Sequence, residues 1–467
     1  MFSSASLAFL LPLLAAAAPL EERQLNNIIP AILNKPGNFT LAQEAHGLQL
    51  RSGPIEYYNL FNRYGVQPPA LVAAGAAIAS AAPTILATTG LVPTGVTDAL
   101  AAAGSAVPTI ASGLTGSVSE GIGGLAGRMV RRKAQSVTGT DNAYPVNSYD
   151  TAYMVPIVFG GSNTWSNVDT GSSDLWVCST LQPANQTSNH NTYDPSSGVL
   201  MKNLTWGISY LDGSNAKGIV YNDTITMAKS VWSGIAVEAA TNMSSQFVSA
   251  AYDGLMGLGF GNLNSVKPTK QKTFFDAIKP SLTLPLFTSM LRKQNVGTYN
   301  FGYIDKTQYN GTISYVPVVN TSGWWQFAAS NYRVGTSGTV VAKSFNAVVD
   351  TGTTLLALPN DIVTAYWNTV PKATYSSTWG AWLYPCSTKL PTFTLYAPTA
   401  NMTVPGSYLN YGQVDYAGNC YGGLQSNGGI SVAILGDIFI KSQFIVYDQT
   451  QPTYRLGFAR QNNITYT

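Results

Sequence analysis

Beyond about residue 145 the chain alternates short apolar stretches with turn residues. Stretches rich in Val, Ile, Thr, Tyr and Trp, such as MVPIVFGG, NAVVDTG, GTISYVPVV and FIVYDQ, are separated by Gly, Asn, Asp and Pro. A turn signal about every eight to twelve residues is typical of all-β proteins. Helical spacing of apolar residues appears in the short segments KTFFDAIK, LFTSMLRKQ and NDIVTAYWNTV. The pattern therefore predicts a mainly β fold with a few short, peripheral helices.

The first part of the chain has a different pattern. Residues 1–18 form an apolar stretch that ends in small residues, as secretory signal peptides do. Residues 19–133 are predicted to be a propeptide, in which GPIEYYNLFNRYGV has the apolar spacing of a helix. Within it, residues 68–127 consist mostly of Ala, Gly, Thr, Ser, Pro and Val, which predicts a flexible or weakly helical linker. The basic run RMVRRK follows, and we expect processing there, near Lys133 or Ala134.

Composition excludes several classes of protein. The 467 residues have 45% hydrophobic content, enough for a large core, and a formal net charge of only +3 with 10% charged residues. A chain without a strong basic excess lacks the electrostatic footprint of nucleic-acid binding. After the signal peptide there is no unbroken apolar run of about 18 residues, so no membrane anchor is predicted.

Cysteine and asparagine usage fits the secretory pathway. Of three cysteines, Cys386 and Cys420 are the predicted disulfide pair because they close a moderate loop within one half of the chain. Cys178 is expected to stay free and buried, or else to link to another molecule. We expect about half of the Asn-x-Ser/Thr triplets to carry glycans, although Ser-rich and Asn-rich sequences also produce such triplets by chance. They start at Asn38, Asn185, Asn203, Asn222, Asn242, Asn310, Asn320, Asn401 and Asn463. We therefore expect a secreted, extracellular glycoprotein rather than a vacuolar one.

An internal repeat contains the candidate catalytic residues. The segment NVDTGSS around Asp169 recurs as VVDTGTT around Asp350, and the triplets that end in Gly257 and Gly436 follow the two aspartates at nearly the same spacing. A single Asp-Thr-Gly is weak evidence, since turns use Asp and Gly freely. Two elements that recur in the same order indicate two related lobes. We expect these lobes to span residues 134–315 and 316–467.

With both triplets, the chain resembles the pepsin family of aspartic proteases, above all its secreted filamentous-fungal branch. Segments such as NTYDPSS, YDGLMGLG and ILGDIFI extend the resemblance over residues 148–460. It implies a bilobal β fold with a substrate cleft between two pseudo-symmetric lobes. Asp169 and Asp350 would share one proton across that cleft, because two adjacent carboxylates resist ionising together. The implied function is a monomeric endopeptidase that hydrolyses internal peptide bonds of proteins or peptides at acidic pH, without cofactor or metal.

The resemblance also implies roles for the residues that follow each aspartate. The threonines would hydrogen-bond across the lobe interface, the glycine amides would donate to the carboxylates, and the next hydroxyls would contact the outer carboxylate oxygens. The matching residues are Thr170, Gly171, Ser172, Thr351, Gly352 and Thr353. For Ser172 and Thr353 an ordinary turn hydroxyl is the alternative interpretation.

The segment ISYLDGS resembles the hairpin flap of the family, which closes over the substrate and excludes water. Trp176 would support the flap tyrosine hydroxyl. Leu211 stands where the family usually has Gly, and Asp212 resembles an acidic flap residue that accepts a basic side chain. Cleavage after large apolar residues and after Lys is therefore the hypothesis. The matching flap residues are Tyr210, Asp212, Gly213 and Ser214.

The propeptide resembles that of the family around NRYGV. There a basic residue lies over the catalytic pair at neutral pH, and Arg63 is the matching cation. Acidification would protonate the pair, weaken the ion pair and open the cleft. The alternative is that Arg63 is an ordinary solvated charge on a helix.

Three other interpretations stay open at this stage. A Ser or Cys hydrolase would depend on His190, since the other histidine, His46, lies in the predicted propeptide; Cys178 is the nearest thiol. Two histidines also argue against a zinc site. A catalytically silent binding or inhibitor protein on the same fold is the main alternative, because fold does not fix function. A structural wall glycoprotein would explain the glycosylation triplets but not the doubled Asp-Thr-Gly.

Overall fold

The computed structural model describes residues 52–64, 66–73, 75–77, 137–147, 149–209, 215–319, 323–415, 417–450 and 452–466. The predicted signal peptide, most of the predicted linker, the basic processing segment and the flap tip lie outside these residues. No helix in the described part is long and apolar enough to cross a membrane.

Strands dominate the described chain. The first are β1 Gly139–Pro145, β2 Tyr153–Phe159, β3 Ser162–Asp169, β4 Leu175–Val177, β5 Val199–Ser209, β6 Asn215–Met227, β7 Ser230–Met243, β8 Gly254–Gly257, β9 Leu286–Arg292, β10 Asn295–Phe301, β11 Tyr309–Pro317 and β12 Gln326–Val334. They are followed by β13 Val341–Val349, β14 Leu356–Leu358, β15 Thr374–Ser376, β16 Ala381–Pro385, β17 Phe393–Ala397, β18 Ala400–Val404, β19 Asn410–Gln413, β20 Asn419–Gly422, β21 Leu424–Ser426, β22 Ala433–Leu435, β23 Gln443–Asp448 and β24 Arg455–Gln461.

The helices are short. They are α1 Ser52–Arg63, α2 Ala184–Thr187, α3 Ser245–Val248, α4 Phe274–Ile278, α5 Asn360–Trp367 and α6 Asp437–Ile440. Single 3₁₀ turns occur at Pro195–Ser197, Gly261–Leu263, Lys279–Ser281 and Gly406–Tyr408. The helical predictions for KTFFDAIK and NDIVTAYWNTV are confirmed by α4 and α5, and α4 begins at a Thr273 cap whose hydroxyl accepts from the Asp276 amide. The predicted mainly β fold with few short helices is thereby confirmed.

The helical prediction for LFTSMLRKQ is wrong. This segment contains strand β9, which pairs with β10 on one side and with β23 on the other. Leu286 to Leu291 are all buried. Its apolar residues cover both faces of a central strand, and over so short a run this pattern cannot be distinguished from helical spacing.

The strands of the described residues form three sheets. A 13-stranded sheet has the order β11-β24-β23-β9-β10-β1-β2-β3-β8-β4-β7-β6-β5, a seven-stranded sheet the order β18-β17-β12-β13-β22-β14-β21, and a four-stranded sheet the order β15-β16-β20-β19. The predicted boundary between residues 315 and 316 falls within β11, which pairs with the last strand, β24.

The internal repeat appears as one strand arrangement formed twice. Strand β3 pairs in parallel with β8, β8 runs antiparallel to β4, and β4 pairs in parallel with β7. Strands β13, β22, β14 and β21 repeat this order with the same directions. Asp169 ends β3 opposite Gly257, and Asp350 directly follows β13, whose last residue lies opposite Leu435. The two Asp-Thr-Gly loops thus leave equivalent points of two equivalent sheets.

Candidate active site

The two Asp-Thr-Gly loops meet at the bottom of a cleft. A Cβ atom added to Gly171 would lie 2.4 Å from Asp350 Oδ1, and one added to Gly352 would lie 2.4 Å from Asp169 Oδ1. Any larger residue would collide with the opposite carboxylate. The glycines are therefore needed for close approach, and the two aspartates, both fully buried, face one another across the loops.

Each carboxylate is held in the same way by its own loop. Asp169 accepts from the Gly171 amide at 2.8 Å and from the Ser172 hydroxyl at 2.5 Å. Asp350 accepts from the Gly352 amide at 2.9 Å and from the Thr353 hydroxyl at 2.5 Å. The sequence-predicted support residues thus lie where the resemblance implies, with one oxygen of each carboxylate bound by an amide and the other by a hydroxyl.

Two threonines connect the loops. The Thr170 hydroxyl donates to Val349 O at 2.8 Å and accepts from the Thr351 amide at 3.0 Å. The Thr351 hydroxyl donates to Val168 O at 2.6 Å and accepts from the Thr170 amide at 3.0 Å. Since all four groups are buried, these reciprocal bonds fix the separation of the two aspartates.

The two aspartates differ in acidity despite their matching donors. Burial raises the pKa of Asp169, and the charge of Asp350 adds to that rise while Arg63 opposes it. Burial acts in the same sense on Asp350, but Arg63, followed by hydrogen bonds from Thr353, Gly352 and Tyr64, outweighs it and lowers the pKa of that carboxyl. One carboxylate and one carboxylic acid is the arrangement that the pair favours.

Arg63, at the end of α1, lies directly over the pair. Its Nη2 contacts Asp169 Oδ2, its Nε lies 3.1 Å from Asp350 Oδ2, and its Nη1 donates to Gly352 O at 2.6 Å. The Tyr64 hydroxyl, which the sequence did not single out, donates to Asp350 Oδ2 at 2.8 Å. A cation and a phenol thus cover the two carboxylates.

The rest of the described N-terminal segment, which the sequence predicts to be part of a propeptide, packs on the C-terminal part of the chain. The Tyr57 hydroxyl donates to Ser426 O at 2.6 Å, and the buried Phe61 ring packs against Gly428. Residues 70–73 and 75–77, the beginning of the predicted linker, are helical. Gly75 approaches the Trp379 carbonyl so closely that a Cβ would lie 2.4 Å from its oxygen. The docked segment therefore continues well beyond Arg63.

A cavity of about 460 Å³ lies beside α1 in the cleft. Helix α1 contributes Glu56, Asn59, Leu60 and Arg63 to its wall. The remaining wall residues are uncharged: Val146, Asn147, Thr151, Ala152, Asn167, Gln246, Phe247, Ser249, Ala250, Ala251, Tyr252, Leu255, Gly352, Thr353 and Thr354. The cavity can hold apolar or neutral polar side chains next to the two aspartates.

The predicted flap cannot be placed, because Tyr210, Leu211, Asp212, Gly213 and Ser214 lie outside the described residues. Its predicted support, Trp176, is 1% exposed and stacks on Trp206 with ring centroids 6.0 Å apart. Within the described part of the chain, the indole N–H of Trp176 has no hydrogen-bond acceptor.

The structure also describes the cysteines and the histidine that the sequence singled out. Cys386 and Cys420 form a disulfide, and Cys178 is buried without one, its Sγ 3.6 Å from Met243 Sδ. His190 lies 3.3 Å from Asp253 Oδ1 and 3.1 Å from Val248 O. Among the described residues no three His, Cys, Asp or Glu side chains could jointly hold a metal ion.

The predicted glycosylation positions are mostly accessible. Asn242 is partly buried, whereas Asn38 and Asn320 lie outside the described residues. The exposed positions are Asn185, Asn203, Asn222, Asn310, Asn401 and Asn463.

Known proteins that resemble this chain in sequence or fold are aspartic proteases. Residues 152–461 match the family model described as eukaryotic aspartyl protease. Penicillopepsin-3 of Penicillium janthinellum is 44% identical over 330 residues, which cover 70% of this chain and 83% of the relative. Aspergillopepsin-1 of Aspergillus fumigatus is 45% identical over 332 residues (70% and 83%), and endothiapepsin of Cryphonectria parasitica is 43% identical over 334 residues (70% and 79%). The crystal structure of the aspartic proteinase from Irpex lacteus shows the same fold, with a TM-score of 0.58 and 20% identity over 71% of this chain and all of that one.

Proposed function

Because this chain belongs to the pepsin family of eukaryotic aspartyl proteases and is thus an aspartic-type endopeptidase, we propose that Asp169 and Asp350 are its catalytic pair. The observation that supports this assignment most is the approach of the two buried carboxylates across Gly171 and Gly352. The matching donors on the two loops place both carboxylates in equivalent settings, as a shared chemical task requires.

Once the propeptide has left, the pair binds one water and one proton. The ionised member takes a proton from the water as that water attacks the scissile carbonyl, and the protonated member donates a hydrogen bond to the carbonyl oxygen. As the tetrahedral adduct collapses, a proton passes to the leaving nitrogen and the two members exchange roles. Burial and the charge of the opposite aspartate both disfavour ionisation of the two carboxyls together, which supports a singly protonated pair at acidic pH.

Cleavage of a protein substrate at acidic pH by the processed chain tests the proposal. We expect pepstatin to abolish cleavage, and Asp169→Asn or Asp350→Asn to lower kcat by at least about 10³-fold while the fold is retained. A processed, folded wild type that binds peptides without cleaving them would instead support the binding-protein alternative.

The docked propeptide supports a zymogen in which Arg63 locks the pair. Because Arg63 lowers the pKa of Asp350, docking gains stability while that carboxyl is ionised and loses it as the pH falls through the lowered pKa. We expect Arg63→Gln to mature prematurely at neutral pH, whereas Arg63→Lys, which keeps the charge, stays largely latent. Maturation of Arg63→Gln at the wild-type rate would contradict the lock.

The proposal also covers the side chains that the enzyme accepts at the cleavage site. Once α1 has left with Glu56 and Arg63, the remaining cavity wall beside the pair is uncharged, which supports a preference for large apolar residues. Asp212 is the candidate acceptor for a Lys side chain at the residue before the cut. Peptides matched except for Lys or Leu test the second point: Asp212→Asn should reduce cleavage after Lys selectively, and equal losses on both would contradict it.

The predicted signal peptide and the relationship to fungal pepsins support a secreted, monomeric glycoprotein that acts on proteins or peptides.

A further inference from the structure

Glu56, on the cleft face of α1, is a titratable group to which the proposed mechanism assigns no role. Its partly buried side chain lines the 460 Å³ cavity, about two helical turns before Arg63. Its Oε2 lies 3.2 Å from the hydroxyl oxygen of Thr354, on the loop that carries Asp350. The propeptide thus brings a carboxyl group into the same cleft as its cation.

The hydroxyl of Thr354 fixes the direction of that hydrogen bond. The same Oγ1 lies 2.6 Å from Thr151 O, a carbonyl oxygen that can only accept. A hydroxyl has one hydrogen, and the shorter contact with Thr151 O uses it. The contact with Glu56 is then a hydrogen bond only if the carboxyl itself donates, which requires a protonated Glu56.

The surroundings favour the same neutral form. Arg63 is the charged neighbour of Glu56 on α1, but its guanidinium is occupied by Asp169, Asp350 and Gly352 O. Tyr252 faces Glu56 across the cavity, and burial raises the pKa of this phenol to about 12, so it is neutral. The other residues of the cavity wall are uncharged. Burial accordingly raises the pKa of Glu56 from 4.5 to about 7, although the charge of Arg63 acts in the opposite sense.

We propose that Glu56 docks as a carboxylic acid that donates to Thr354, so that α1 takes up a proton when it enters the cleft. This inference rests on the proposed zymogen. It gives docking a second pH dependence, opposite in sign to that of the Arg63 contact. The Arg63 contact weakens as the pH falls, whereas the Glu56 contact weakens as the pH rises, and together they confine tight docking to a window of pH.

The size of the effect follows from linkage. The docked pKa is raised, so the contribution of Glu56 is fully present below its ordinary value of 4.5 and is lost as the pH rises to about 7. Within that interval the docking constant falls about tenfold per pH unit, and the whole loss is at most about 300-fold. Above pH 7 the dependence levels off.

Trypsin cleavage after Arg63 in the full-length zymogen measures undocking, because Arg63 must leave the two aspartates before a protease can reach it. The rate is followed by mass spectrometry between pH 5.5 and 8.5 and divided by the rate on an unstructured peptide of the same local sequence. Wild type should open about tenfold more readily per pH unit up to about pH 7. Glu56→Gln, a neutral donor of similar shape, should show a flat profile and should be cleaved at least tenfold more slowly than wild type at pH 7.5.

Matched controls separate the possible outcomes. Thr354→Val removes the acceptor and should weaken docking most at the acidic end, while Asn59→Gln, on the same cavity wall, should keep the wild-type slope. Parallel profiles for wild type and Glu56→Gln, or faster cleavage of Glu56→Gln at pH 7.5, would overturn the proposal. The readout does not depend on peptidase activity, so failure of the catalytic assignment would appear only in the substrate assay of the processed chain.

Discussion

Replacing Thr170 by Val tests whether the reciprocal threonine bonds hold the two catalytic loops together. Valine keeps the shape and burial of the side chain but removes one hydrogen bond given to Val349 O and one received from the Thr351 amide. Both partners are buried. Depriving a buried polar group of its partner costs about 1–3 kcal/mol, so the two losses together predict a destabilisation of about 2–6 kcal/mol.

Thr170→Ser is the matched control, because it keeps the hydroxyl and loses only a buried methyl group, at a cost of about 1 kcal/mol. Urea unfolding of the full-length zymogen near pH 6 measures both variants, and the comparison holds if their m-values agree with that of the wild type. In the processed enzyme, Thr170→Val should also lower kcat on the order of 10- to 100-fold with a smaller change in KM, because the carboxylates would lose their fixed separation. A valine variant as stable as the serine variant would refute the argument that these bonds fix the loops.

Other features of the structure lead to further expectations. The Cys386–Cys420 disulfide joins residues 34 apart in sequence, so replacing both cysteines by serine should lower the free energy of unfolding by about 4 kcal/mol, measured by urea unfolding; a loss below about 1 kcal/mol would contradict this. Burial and the neighbouring Asp174 raise the pKa of Glu238 well above its usual range, so this group stabilises the fold at low pH and the contribution is lost as the pH rises through the raised pKa. In Glu238→Gln the fall in melting temperature as the pH rises above 4.5, the ordinary pKa of this group, should therefore be shallower than in wild type, and an unchanged slope would argue against the neutral carboxyl. The two ring nitrogens of His190 lie within hydrogen-bond distance of oxygen atoms of Asp253 and Val248, so His190→Gln should lower the free energy of unfolding by about 1–3 kcal/mol, measured by urea unfolding; a variant as stable as the wild type would contradict this.

The sequence predicts the geometry of the two Asp-Thr-Gly loops well because their hydrogen bonds are local. Asp-Thr-Gly occurs twice, and each triplet brings its own amide and hydroxyl donors, so the positions of Asp169 and Asp350 follow from the repeat. The mainly β fold is predicted by the regular spacing of turn residues along the chain. The error at LFTSMLRKQ has a physical cause, since a strand buried on both faces has no alternation to distinguish it from a short helix.

The docking of the predicted propeptide segment is harder to predict from the sequence. Residues 70–73 and 75–77 have few large apolar side chains. Besides the buried Val72, they pack through close backbone approach, with Gly75 over the Trp379 carbonyl and Gly380 in a left-handed conformation (φ +63°) against Leu71. Small residues that permit such contacts look like those of a linker. In the sequence, Tyr64 and Glu56 have the features of an ordinary helix-end residue and an ordinary helix-face residue. Their contacts with loop Asp350–Thr354 become visible only in the fold. Adjacency to Arg63 is the signal that could have indicated Tyr64.

The same contacts explain why two loops with matching donors hold aspartates of different acidity. Asp169 accepts hydrogen bonds from the Gly171 amide and the Ser172 hydroxyl, and Asp350 accepts the equivalent bonds from Gly352 and Thr353. The loops themselves therefore give the two carboxylates equivalent donors. Tyr64 donates to Asp350, and this contact, with the position of Arg63, comes from the propeptide. The asymmetry is therefore a property of the docked state. When α1 leaves, the loops restore near-equivalence, and a proton shared between equivalent carboxylates can move to either one, which is what an exchange of acid and base roles in each turnover requires.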